Sequence, residues 1–184
     1  ELAAKLENLI ERKTTDNSFV KIKEGKEAEA KAIAERLALI GNDAQKALAN
    51  KVIADANPKL EDAEKEAKRV EKVEAANKAI EAKREAVEEE INRIKKLYTE
   101  AKDAYDKFAK DNKLEAIEAP EIDNVKAKDS YAIDEDTAEA NIDTEKQTKL
   151  NEINDAKVAA ETAYDNFRKL VAAQKPAFDG FPAR

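Results

Sequence analysis

Apolar residues recur every three or four positions along most of this chain, and that spacing predicts helices. The longest row starts near Ala63 and runs Ala67, Val70, Val73, Asn77, Ile80, Arg84, Val87, Ile91, Ile94, Tyr98, Ala101, Tyr105 and Phe108. Apart from one three-plus-three step at Val70–Val73, threes and fours alternate, which is the heptad rule for a helix-bundle seam. The seam is about 45 residues long, on the order of 68 Å at 1.5 Å per residue, and it predicts a rod. Two polar residues interrupt it, Asn77 and Arg84. Small neighbours (Ala75, Ala76, Ala79, Ala82, Ala86) leave them room, and both are assigned to packing register. An Asn in a seam fixes pairing at some loss of stability, and an Arg packs its stem while its charge reaches the edge. On that reading Asn77→Leu should preserve or raise thermal stability.

The flanking segments complete the pattern. "ELAAKLENLIERK" puts Leu2, Leu6, Leu9 and Ile10 on one helical face, and "TTDNS" at 14–18 supplies a joint. A first long helix is expected from about Phe19 to Ala56, with Ile33, Leu37, Ile40, Ala44, Leu48 and Val52 inward. Gly41 is a local weak point in it. Pro58 lacks the helical donor and disfavours the α region at Asn57, so a reversal is expected at 56–62, with the next helix starting at Pro58. A final helix is expected from about Glu135 to Gln174, with Ile142, Leu150, Ile153, Ala156, Ala160, Tyr164, Phe167 and Val171 inward, stopping before Pro176. The expected fold is all-α: an elongated antiparallel bundle of three long helices plus a short N-terminal helix. It forms one domain over 1–175, and 176–184 is a linker or terminal tail.

Between the last two helices, Pro120, Asp123, Asn124 and Ser130 break any steady period. A connection that long closes a bundle end or carries function. Antiparallel helices would place 112–133 at one end of the rod. Ile122, Val125, Tyr131 and Ile133 are then its candidate partner-facing cap.

Composition changes the picture mainly by exclusion. The chain is 42% hydrophobic and 41% charged with only 5% aromatic residues, a balance that suits long packed helices better than a thick enzyme core. It has no Cys and no His, which removes disulfides, thiolate chemistry and the usual metal ligand and general base. No catalytic residue, cofactor or metal site is therefore expected, and the chain is read as a non-enzyme. The stretch "DEDTAEANIDTE" sets Asp134, Asp136 and Glu145 at calcium-loop positions. It has Ala138 at the fifth position and Glu139 where the turn needs Gly, so it reads as a helix N-terminus. Glu88, Glu89 and Glu90 fan around a helix and read as a solvated face. A net charge of −7 disfavours nucleic acid and anionic membrane surfaces. With no Met, the chain is expected to be an excised piece of a longer protein, and no apolar run is long enough to span a bilayer.

The segments "GKEAEAKAIAERLALI" and "VEAANKAIEAKREAVEEE", together with the absence of Cys, resemble the glutamic acid/alanine-rich surface proteins of African trypanosome insect stages. That resemblance covers most of the chain but is compositional and architectural, with no sharp motif. It implies a lipid-anchored surface antigen at the extracellular face, a helical bundle akin to the variant surface glycoprotein core, packed with neighbouring coat proteins as a protective spacer. The variant coat proteins usually carry disulfides, and this chain departs from them there. The anchor, lying outside this chain, is implied by the resemblance alone. The competing expectation is a surface adhesin that binds a host or vector surface protein, which would need an exposed apolar hot spot at Tyr131 and Ile133.

Overall fold

The computed structural model describes residues 1–174 and 177–181; Pro176, where the last helix was expected to stop, lies outside them. In order, the elements are α1 (Leu2–Glu7), β1 (Ile10–Arg12), β2 (Phe19–Ile22), α2 (Glu27–Ile40), α3 (Asp43–Asp111) and α4 (Glu139–Gln174). The protein is mostly helical but not all-α. It divides into two compact units, Glu1–Val70 and Glu71–Arg184, where the sequence suggested one domain over 1–175.

In the first unit the expected helix from Phe19 is replaced by a hairpin. β1 and β2 pair antiparallel with Ile10 opposite Ile22 and Glu11 opposite Lys21, and a bulge lies between Glu11 and Arg12. Asn17 takes a left-handed conformation (φ 59), which Asn tolerates better than most residues. The Asp16 carboxylate accepts from the Ser18 amide at 3.0 Å and from its hydroxyl at 2.7 Å. "TTDNS" is thus the hairpin turn. Leu9 and Ile10, read as the end of a helical face, are buried from a turn and a strand instead.

The helix break expected at Pro58 lies at Gly41. α2 ends at Ile40 and the chain passes through extended Gly41, where a Cβ would sit 2.7 Å from the Leu37 carbonyl oxygen. Asn42 and Gln45 then cap each other: the Asn42 side chain accepts from the Gln45 amide at 2.8 Å, and the Gln45 side chain accepts from the Asn42 amide at 3.0 Å. This reciprocal box satisfies two otherwise orphaned donors and starts α3. Pro58 lies inside α3. Its missing N–H costs one hydrogen bond, while Val52 and Ala56 in the preceding turns are fully buried and keep that stretch packed. The core of this unit centres on Leu6, Ile22, Ala30, Ala34, Leu37 and Val52.

In the second unit the seam is present from Val73. Val73, Ile80, Val87, Ile91, Ile94, Tyr98, Ala101 and Tyr105 are buried, whereas Val70 is exposed. On α4, Ile142, Ile153, Ala160, Tyr164, Phe167 and Val171 are buried, as their spacing implies.

The direction of α4 is the main correction. Lys72 pairs with Asp143 at 3.5 Å, and the Phe167 ring lies 5.2 Å from that of Tyr98 and 6.4 Å from that of Tyr105. Residue numbers rise together on the two helices, so α3 and α4 run parallel. The connection makes this possible by returning along α3: Pro120 meets Tyr98, Asp123 meets Lys95 and Ile133 meets Asn77. It is a strap along the helices, not a closure at one end. The expected bundle of three long antiparallel helices is therefore not what forms, since only α3 and α4 are long and α2 has 14 residues.

Candidate functional site

The four cap candidates, Ile122, Val125, Tyr131 and Ile133, belong to the strap, and the two register candidates, Asn77 and Arg84, to α3. Pro120, the loss of helical period and alternating apolar residues make 112–138 extended, and the strap's apolar side chains turn inward. Ile122, Tyr131 and Ile133 are 4%, 6% and 3% exposed, and Val125 is half-buried against the same core. These four residues are corrected from an outward-facing cap to the inner face of the strap. The physical reason is burial: an extended segment returning along two parallel helices covers a groove that would otherwise expose their seam. A hot spot for an adhesin at Tyr131 and Ile133 is not available.

The polar groups of this region are engaged in holding the strap. Asn77 Oδ1 accepts from the Ile133 amide at 2.7 Å, and its Nδ2 donates to the Ile133 carbonyl at 3.3 Å. The Tyr98 hydroxyl donates to the Pro120 carbonyl. Burial, and second the charge of Asp123, hold the Tyr98 phenol above its ordinary pKa, so it remains a donor. Tyr131 serves the strap itself, its hydroxyl accepting from the Lys128 amide at 3.0 Å. Lys95 donates to the Asp123 carbonyl at 3.2 Å.

Arg84 lies at the edge of the seam and is held by its own helix. It reaches Glu81 at 2.6 Å and Glu88 at 2.7 Å, three positions before and four after it. Its hydrogen bonds to Glu81 and then Glu88 push the guanidinium pKa further up, and the same contact holds the Glu81 carboxyl below its usual range. Glu90 pairs with Arg93 at 2.5 Å and Glu88 with Arg84 at 2.7 Å, so these two carboxylates belong to an ion-paired outer face.

At the start of α4, the Asp134 side chain accepts from the Asp136 amide at 2.8 Å. The buried Thr137 hydroxyl lies 2.6 Å from the Asp134 carbonyl and 3.2 Å from Glu145. These acidic groups order a helix entry. Among the described residues no group of three or more acidic side chains is placed to hold a metal ion. No described helix is long and apolar enough to cross a membrane.

Two features escaped the sequence reading. Phe178 and Phe181, in the segment read as linker, pack onto the second core, with Phe178 5.4 Å from Tyr105 and Phe181 5.4 Å from Phe167. A side chain on Gly180 would run into the Phe178 ring, so glycine lets both rings dock. Two Phe residues in a four-residue stretch of an aromatic-poor chain were the available signal. The second feature is a groove in the first unit. A hollow of about 470 Å³ lies among α1, the hairpin, α2 and the start of α3, with Leu6, Phe19, Leu37 and Leu48 in its lining. At the end of α2, Leu39 and Ile40 are 80% and 69% exposed, and Ile40 lines a smaller hollow that shares Ala3, Leu37 and Gln45 with the first. Ile40 was expected inward, three positions after Leu37, but it is the last residue of α2 and lies exposed, whereas Leu39 lies about 100° round the helix from it and off that stripe. Comparisons with family models, with curated proteins and with solved structures find no match to this chain.

Proposed function

We propose that this chain is a non-catalytic coat or spacer protein, displayed on the outer face of a cell through an anchor outside this chain and packed among neighbouring coat proteins. The observation that carries the reading is how the candidate groups are used. Asn77, Tyr98, Tyr131 and Arg84 each spend their hydrogen bonds on the strap or on their own helix. Their chemistry maintains a shape. The residues of α3 from 71 to 111 alone rise roughly 60 Å at 1.5 Å per residue, and the strap stiffens that length by joining it to α4. Exposed i,i+3 and i,i+4 pairs such as Arg93–Glu90 and Lys102–Asp106 cover the outside with hydrated charge. Glu1–Val70 holds equal numbers of acidic and basic residues, so the whole net charge of −7 resides in Glu71–Arg184. Neighbouring copies would repel along that unit, which spaces them evenly over a surface.

The test is accessibility on intact cells of the natural source. Antibodies raised against the folded chain should label unpermeabilised cells, and brief external protease should release the labelled material. Labelling that requires permeabilisation would overturn the assignment.

A further inference from the structure

We propose that the end of α3 and α4 where Tyr105 meets Phe167 is a peptide-recognition groove, and that its ligand is a segment of this same chain, two phenylalanines three positions apart with a glycine between them. Segment 177–181 then acts as a clasp that docks and lifts without unfolding the helices beneath it. The groove is built without the clasp: Phe167 on α4 meets Tyr98 and Tyr105 on α3 directly, at 5.2 and 6.4 Å. Onto it the clasp lays two rings. Phe178 lies 5.4 Å from Tyr105 and 5.3 Å from Phe108, and Phe181 lies 5.4 Å from Phe167 and 5.9 Å from Tyr164. Three of these four contacts are edge-on, the directional geometry that aromatic pairs favour and aliphatic packing lacks. Seven of the chain's nine aromatic residues join this one cluster. Helix packing alone does not need them, since the buried seam from Val73 to Ile94 is Val, Ala and Ile.

The clasp sits on the groove as a ligand does. Both of its rings are half-buried, whereas Tyr105, Tyr164 and Phe167 beneath them are buried. Among the described residues, 177–181 makes ring contacts with α3 and α4 but no hydrogen bond or ion pair. A hollow of about 350 Å³ remains between Arg168, Val171 and Ala172 of α4 and the clasp, where a core segment would pack flush. Tyr105, in contact with Phe178, keeps its hydroxyl buried and without a partner among the described residues, so closure carries a polar cost that lifting the clasp relieves by admitting water. Gly180 sets the register of the two rings, because a Cβ there would strike the Phe178 ring. The occupant is therefore identified by the segment already seated, and the inference is independent of the coat reading.

A fluorescent peptide of residues 174–184 tests it, titrated with the full chain carrying Phe178→Ala and Phe181→Ala, whose groove is vacated. That variant should keep its helical spectrum and bind the peptide with a Kd of about 10–100 µM. The wild type should bind it about 10- to 100-fold more weakly, because its own clasp competes at the roughly millimolar effective concentration of a short tether. A peptide carrying Gly180→Val should lose about tenfold, and a scrambled peptide of the same composition should not bind. A vacated variant that stays helical but takes up no peptide at about 1 mM overturns the proposal. So does a vacated variant that loses its helical spectrum, which would make the two rings part of the core. Equal binding to wild type and variant, or equal binding of the native, valine and scrambled peptides, overturns it as well, since the peptide would then be held elsewhere or without recognition.

Discussion

The carboxamide of Asn77 brackets the backbone of Ile133 from both sides, accepting from its amide at 2.7 Å and donating to its carbonyl at 3.3 Å. Fifty-six positions apart in sequence, these residues pin the descending strap to α3. An Asn in a seam would ordinarily be expected to give up stability for register, so that Leu in its place would be neutral or better. Here Leu would leave a backbone amide and carbonyl unpaired beneath the strap. Asn77→Leu should cost about 1–3 kcal/mol in urea unfolding while the helical spectrum is kept. Hydrogen exchange should show lost protection at Ile133 first.

Tyr105 makes the opposite prediction. Its ring is 1% exposed among Phe108, Phe167 and Phe178, yet its hydroxyl finds no hydrogen-bond partner among the described residues. Tyr105→Phe removes an unsatisfied polar group and keeps the ring, so it should be neutral or stabilising by up to about 1 kcal/mol. A thermal melt checks it, and a clear loss of stability would mean that the hydroxyl is engaged.

Asp55 ties the hairpin to α3, accepting from the Ile22 amide at 3.0 Å and from Lys59 at 2.8 Å. Burial pushes its carboxyl up, but the bonds from Lys59 and from the Ile22 amide together outweigh that and hold the pKa below its ordinary value. A depressed folded pKa means stability that is fully present above the unfolded value of about 3.9 and is lost as pH falls through the folded one. The protection factor of the Ile22 amide should therefore be steady from neutrality to about pH 5 and decline below about pH 4. Asp55→Asn keeps an acceptor for Ile22 without the titrating charge, and should flatten that acid limb.

Pro58 removes a donor inside α3 and crowds the carbonyl of Ala54 one turn earlier. Pro58→Ala restores a helical hydrogen bond without touching the core, because Pro58 itself is exposed. The expected gain is about 1–3 kcal/mol, read as a higher midpoint in urea. A loss would mean that the local geometry at Pro58 is itself required by the packing of the first unit.

The helical seam was legible from residue spacing alone. The seam residues from Val73 to Tyr105 and from Ile142 to Val171 are buried or half-buried where three-and-four spacing places them, because that period is a property of one helix and needs no knowledge of its partner. The α3 start was also written locally, in the Asn42–Gln45 box after Gly41, although Pro58 offered a louder and misleading signal. The remaining features depend on contacts between segments far apart in the chain. Ile10 and Ile22 become strand partners because they meet across a turn, and neither segment shows that alone. The direction of α4 depended on where the connection travels. Its apolar residues gain more from covering the α3–α4 groove than from facing water, and an extended strap that returns along α3 leaves α4 to run parallel to it. The same burial turned Ile122, Tyr131 and Ile133 inward and made Asn77 a clamp, because a polar side chain in a seam shows that it needs a partner but not which backbone will supply one.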